Sequence, residues 1–184
     1  MDIKFDFDLR KFNALLNILS HQVKWLDILK AAKMFYLIDR ECLLKTGRPV
    51  LGDRYICMSF GPVPSRAYDQ MKYIRDGVIE SPIQLDSSIC SPGNHPTFKS
   101  TIGENWDFFS KNEQNCINEI IEKYRDIDGR SLIDLTHTHK AWTNTEQKSE
   151  IDYRLFFAEE KEKYIDSFNI MLFEQENRDF VDDL

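Results

Sequence analysis

The sequence predicts a mainly α protein with a small β component (α+β): a single compact helical domain carrying a short β-hairpin or ribbon and a C-terminal amphipathic helix. Three features predict it. Apolar residues recur at helical spacing through most of the chain. One stretch, Val23 to Lys45, is apolar around nearly the whole helical cylinder, as a central buried helix requires. Between the helices lies one β-rich passage, Arg48 to Phe60, bracketed by glycine and proline.

Taken in order, Asp8 to Gln22 sets Phe12, Leu15, Leu16 and Leu19 on one helical face. The central helix follows, with a break expected near Ala31-Ala32. Lys45 complements its C-terminal dipole, and Gly47 stands where a left-handed cap belongs. Gly52-Asp53 between apolar runs predicts a two-residue hairpin turn. In Gly61-Pro62-Val63-Pro64-Ser65 the prolines remove two backbone donors, so this elbow is expected outside any sheet. A helix from Ser65 to Arg75 carries Tyr68, Met71 and Ile74, with Gly77 past its end. Residues 78–103 hold several Pro and Gly and predict an irregular hairpin, with strands near Val78–Glu80 and Thr97–Lys99. Ser110 and Glu113 make a capping box for a helix striped by Cys116, Ile117, Ile120, Ile121 and Tyr124. Asp128-Gly129-Arg130 turns the chain, and Ser131 is expected to cap a short helix to about Thr136. The last helix, about Asp152 to Glu176, carries Phe157, Tyr164, Phe168, Met171 and Leu172 on one side and dense charge on the other.

Composition narrows the function. A chain of 184 residues, 42% hydrophobic with 13 Phe, can bury its own core without disulfide or metal staples. The scattered Cys42, Cys57, Cys90 and Cys116 form no CxxC pair, so buried free thiols are expected rather than a zinc knuckle. No stretch approaches the roughly 20 apolar residues of a membrane span. The acidic, alternating opening Met1 to Asp6 is unlike a secretory leader, and a cytoplasmic location is expected. Residues 1–145 hold 19 basic and 19 acidic side chains, whereas residues 146–184 hold 5 and 12 and so carry the whole net charge of −7. That asymmetry divides the chain into a domain over 1–145 and an acidic helical extension over 146–184, expected to pack on the same domain. An acidic tail favours a basic partner or solubility and disfavours nucleic acid.

No motif calls for catalysis. His137 and His139, two residues apart, share no helix face, and no acid or thiol stands at ligand spacing. Glycine-rich phosphate loops, GxSxG and HExxH are missing from the sequence. No catalytic, cofactor or metal site is expected. Asp39 and Arg40 follow the apolar run of the central helix and read either as a structural pair capping the hairpin or as a partner contact.

Several segments, in order, are familiar. Met34 to Pro49 contains Tyr36, Asp39-Arg40 and Gly47-Arg48-Pro49; Gly52-Asp53-Arg54-Tyr55 and the elbow with Pro62, Pro64 and Ser65 follow. With the Phe109-Ser110 helix, Asp134 to His137 and Trp142, they resemble the signatures of the Panacea (SocA-like) antitoxin domain over about residues 10–145. The segment 86–103 and the acidic helix after Trp142 depart from that pattern. The resemblance implies a non-enzymatic module that grips a protein toxin or client. The motif residues Tyr36, Asp39, Arg40, Arg48, Asp53, Tyr55, Pro62, Pro64, Ser65, His137 and Trp142 are its candidate positions for partner binding or for shaping the domain. The alternatives are a proteolytic adaptor that delivers its client to a protease, a DNA-binding regulator and an enzyme of unrecognised type. A homo-oligomer stays open.

Overall fold

The structure, a computed structural model, describes residues 3–182, with side chains to residue 178. Met1, Asp2, Asp183 and Leu184, at the outer ends of the two stretches divided above at residue 145, lie outside the described residues. Among the described residues, seven α-helices and two antiparallel two-strand ribbons follow in order. They are α1 (Leu9–Gln22), α2 (Ile28–Thr46), β1 (Tyr55–Met58), β2 (Gly61–Pro64), α3 (Ser65–Arg75), β3 (Ile83–Cys90) and β4 (Pro96–Ser100). Then come α4 (Lys111–Tyr124), α5 (Gly129–Thr136), α6 (Lys140–Thr143), a 3-10 turn (Tyr153–Phe157) and α7 (Ile165–Asp182). The class is mainly α, and no described helix is long and apolar enough to cross a membrane.

Helix α2 is the axis. Every residue from Lys30 to Asp39 is buried, because α3, α4, α5, α7, β2 and the 3-10 turn all pack around it. It begins at Ile28 rather than Val23. The Asp27 carboxylate accepts from the Lys30 amide at 2.8 Å and caps it, while Val23 to Asp27 forms a separate link from α1. Ala31 and Ala32 do not break it; alanine is the best helix former, and both are buried under neighbouring elements. Gly47 ends it at φ +80°, where a Cβ would stand 2.7 Å from the Ser167 carbonyl of α7.

The hairpin lies later than the sequence suggested. Gly52 is left-handed at φ +66° because the backbone of Asp6 passes there, 2.7 Å from where a Cβ would be; it does not turn a hairpin. The turn is Ser59-Phe60, pairing Tyr55 with Pro64 and Cys57 with Pro62. The elbow is thus a strand, against expectation. Alternate residues of a strand point N–H and C=O to the same edge, so Pro62 and Pro64 put their missing donors on the outer side. The other edge of β1 is also paired: Cys57 donates to the Ser149 carbonyl (2.9 Å), Lys148 to Cys57 (2.7 Å) and Ile151 to Tyr55 (2.8 Å).

Three further expectations are corrected. The first strand of the second ribbon is Ile83–Cys90 rather than Val78–Glu80, pairing Leu85 with Phe98. Asp128, not Ser131, caps α5, accepting from the amides of Arg130 (2.9 Å) and Ser131 (3.0 Å); Gly129 and Arg130 already belong to the helix. The last helix is divided. A 3-10 turn aligns residues three apart, and it stacks Tyr153 on Phe156 with ring centroids 5.0 Å apart. Helix α7 starts only at Ile165 and presses Phe168, Met171 and Gln175 inward; the Gln175 side chain accepts from the Lys4 amide at 2.9 Å.

Candidate protein-binding site

The motif residues fall into two sets, an internal framework and a surface. Asp39 is fully buried on α2. Its carboxylate accepts from the amides of Val50 (2.9 Å) and Leu51 (2.7 Å) and from the Tyr55 hydroxyl (2.9 Å), tying the turn after α2 to the start of β1. Burial pushes the Asp39 carboxyl up to about 7, against the pull of those hydrogen bonds. Asp53, also buried, serves α3 from outside. The helix starts at Pro64-Ser65 without a side-chain cap of its own, and the Asp53 carboxylate accepts from the amides of Arg66 (3.0 Å) and Ala67 (2.7 Å). Desolvation raises this carboxyl as well. The Tyr153 hydroxyl donates to the Asp53 carbonyl at 2.6 Å.

The elbow is pinned from behind. Lys33, buried on α2, donates from Nζ to the Pro62 carbonyl at 2.8 Å, at the edge the prolines leave unpaired. Desolvation drives its ammonium down to about 7. Gly61 stands at φ +90° with room for no side chain: a Cβ would lie 2.6 Å from Thr136 Oγ1 and 3.1 Å from Lys33 Nζ.

Tyr36 and Tyr55 form the aromatic heart with Phe156 and Tyr153, with Tyr36 edge-on to Tyr55 at 5.4 Å. The Tyr36 hydroxyl meets His139 Nδ1 at 3.1 Å, and burial holds that imidazole down to about 4. His137 stacks on Trp142, centroids 4.0 Å apart, and Trp142 Nε1 donates to the Met58 carbonyl at 2.9 Å. The two histidines therefore serve different neighbours. Among the described residues no group of three or more His, Cys, Asp or Glu could hold a metal. Arg40 pairs with Glu159 at 3.4 Å, not with Asp39. Arg48, 69% exposed, forks onto Glu174 of α7 at 2.7 Å.

So Tyr36, Asp39, Asp53 and Tyr55 lie inside and shape the domain, as do Pro62 and Pro64, while Ser65 is half-buried at the start of α3. The hairpin tip is the surface they hold up. Phe60 is 59% exposed and Met58 38%, beside the half-buried Trp142. Phe60 also borders an open groove of about 600 Å³ floored by Leu29 and Ile133. Motif reading missed Lys33, Thr136, Tyr153 and Phe60. Lys33 had a signal: a lysine within a helix apolar on all sides must find a buried acceptor. Phe60 had one too, an aromatic in a turn that polar residues normally fill.

The family model for SocA-like antitoxins, Panacea domain, matches residues 32–143, more than half of the chain. No curated protein and no solved structure matches it. The matched span opens just before Lys33 and closes just after Trp142, so it contains α2 from Ala32 onward, the Asp39 and Asp53 clamps, the pinned elbow and the His137–Trp142 stack. The chain therefore belongs to the SocA-like antitoxin family and carries its Panacea domain.

Proposed function

We propose that this chain neutralises a protein toxin by direct binding and catalyses nothing itself, acting in the cytoplasm with residues 146–184 docked on the domain of residues 1–145. The observation that carries the reading is the hairpin tip within the family-matched span, where Phe60 and Met58 face solvent on a ribbon clamped from behind. Aromatic and methionine side chains are enriched at protein interfaces. A contact surface already fixed in shape avoids the ordering cost of binding. Trp142 and Arg48 are the further partner contacts in this reading; the buried motif residues act by holding the surface in place.

The test is co-expression of the full chain with each open reading frame that flanks its gene, in a host whose growth that frame arrests. Wild type restores growth, and Phe60→Asp, which alters an exposed side chain, melts like wild type and fails to restore it. If no flanking frame is neutralised by wild type, the toxin reading falls. Restored growth with a falling toxin level moves the mechanism from occlusion to delivery to a protease.

A further inference from the structure

Trp25 occupies a conformation that its side chain resists. It stands at φ +52° in the link between α1 and α2, in the left-handed region that favours glycine and asparagine. Burial does not compensate, for the indole remains 39% exposed. The backbone is held there by a clamp. Lys30 of α2, itself buried, donates from Nζ to the carbonyls of Lys24 (2.6 Å) and Arg125 (2.8 Å), which joins the link to the end of α4. The Lys24 amide adds a bond to the Arg125 carbonyl at 3.1 Å, and the Asp27 amide one to the Trp25 carbonyl at 2.8 Å.

Beside the indole runs an open groove of about 770 Å³ between the end of α1, β4 and the end of α4. Ile89 and Trp25 give it exposed apolar surface, with Leu26 and Phe98 buried behind them. Its charge is the reverse of the molecule's. Lys24, Lys99 and Arg125 line it against a single carboxylate, Asp126, in a chain of net charge −7. Asp126 is shared, 2.7 Å from Lys24 Nζ and 3.5 Å from Arg125 Nε, and Lys99 Nζ stands 3.7 Å from Asp86 Oδ2 of β3. Three cations thus face two carboxylates, each cation more than half exposed, and the groove keeps one positive charge in excess.

We propose that this groove binds an acidic segment of the protein partner, a run of Asp and Glu interrupted by one apolar residue that packs on Trp25. The proposal rests on the reading of the chain as a protein-binding module and adds a second contact with defined chemistry. Tryptophan and arginine dominate interface energetics, and a rigid turn presents the indole with little left to order. Incoming carboxylates give the exposed ends of Lys24, Lys99 and Arg125 acceptors beyond those of Asp126 and Asp86. Nucleic acid requires a long basic footprint, and three cations on an acidic protein do not make one.

The probe is a phage-displayed random 12-residue peptide library panned on the immobilised full chain, with fluorescent dT12 titrated in parallel. Selected peptides are expected to be rich in Asp and Glu around a Leu, Met or aromatic residue. Their affinity is expected to fall about tenfold or more with Trp25→Asn and with Lys99→Glu/Arg125→Glu. Because asparagine suits the left-handed turn, Trp25→Asn is expected to melt no lower than wild type. Failure to select peptides, selection without acidic enrichment, or peptides that bind Trp25→Asn as well as wild type would overturn the proposal. So would Trp25-dependent binding of dT12 without selected acidic peptides. The growth assay reports separately: Trp25-dependent acidic peptides with no flanking frame neutralised sink the toxin reading and leave the groove standing, whereas neutralisation untouched by Trp25→Asn sinks the groove alone.

Discussion

Replacing Lys33 with methionine removes a buried ammonium and the donor that serves the Pro62 carbonyl, while filling nearly the same space. In the folded protein desolvation sets this ammonium to titrate at about 7, against 10.5 for a free lysine. A folded value below the unfolded one means that the unfolded chain binds more protons. Stability from this group is therefore complete above the unfolded value and lost as pH falls through the folded one. Between pH 7 and 8 the unfolded lysine stays protonated while the folded one gives up its proton. Integrated over that interval, Lys33 alone adds about 1 kcal/mol to the stability of the wild type. Asp39, raised to about 7, and Lys30, lowered to about 8, also titrate across this interval, but the variant keeps both and their effects cancel in the comparison, while His139, lowered to about 4, acts below it. Lys33→Met should lack this gain. The Pro62 carbonyl loses its donor, a cost of about 1–3 kcal/mol, but the variant is spared the roughly 3 kcal/mol that the wild type spends at pH 8 to fold a lysine without its proton, so the two should differ by no more than about 2 kcal/mol there and the pH slope is what separates them. Urea unfolding at pH 7.0, 7.5 and 8.0, with stability extrapolated to water, reads both effects. An equal rise in variant and wild type would refute the reasoning, because the proton would then be bound alike in both states.

The remaining predictions use the same clamps and the surface. Asp53→Ala strips the remote cap from α3 and leaves the Arg66 and Ala67 amides without their acceptor; a loss of about 2–3 kcal/mol in chemical denaturation is expected, and one below about 0.5 would refute the capping role. Gly61→Ala must strain a backbone at φ +90° and push a methyl against Thr136 Oγ1, so it should cost more than about 2 kcal/mol; adding Thr136→Ala should recover part of the loss, the part due to the contact. The Arg48–Glu174 pair is exposed on the arginine side, and a double-mutant cycle should return no more than about 1 kcal/mol of coupling.

Local chemistry was legible in the sequence, and remote chemistry was not. The Ser110–Glu113 capping box and the Gly47 cap are complete within a few residues, and the structure has both where pattern reading puts them. Asp53 is different: it caps a helix whose Ala67 amide lies 14 residues on, so Gly52-Asp53 imitated a hairpin turn. The elbow depends on Lys33, 29 residues before Pro62, and no short window holds both. Without that partner two prolines argue against a strand; with it, they mark the edge where a lysine takes the place of a neighbouring strand. The 3-10 turn was hidden for a related reason, since its spacing answers to Tyr36 and Tyr55 far upstream. At the candidate surface, residue type pointed to Trp142 but not to Phe60, whose exposure comes from where the hairpin turns.

The three backbone bonds that residues 148–151 make to β1 bear on how this protein can be cut. A fragment stopped at the end of the family match, residue 143, would retain β1 and β2 but strip the amide of Cys57 and the carbonyls of Tyr55 and Cys57 of their partners. An unprotected edge of that kind recruits strands from other molecules, so such a fragment should self-associate and precipitate on expression, whereas a chain that keeps residues 148–151 and also α7, which covers α2 and Phe157, should remain monodisperse.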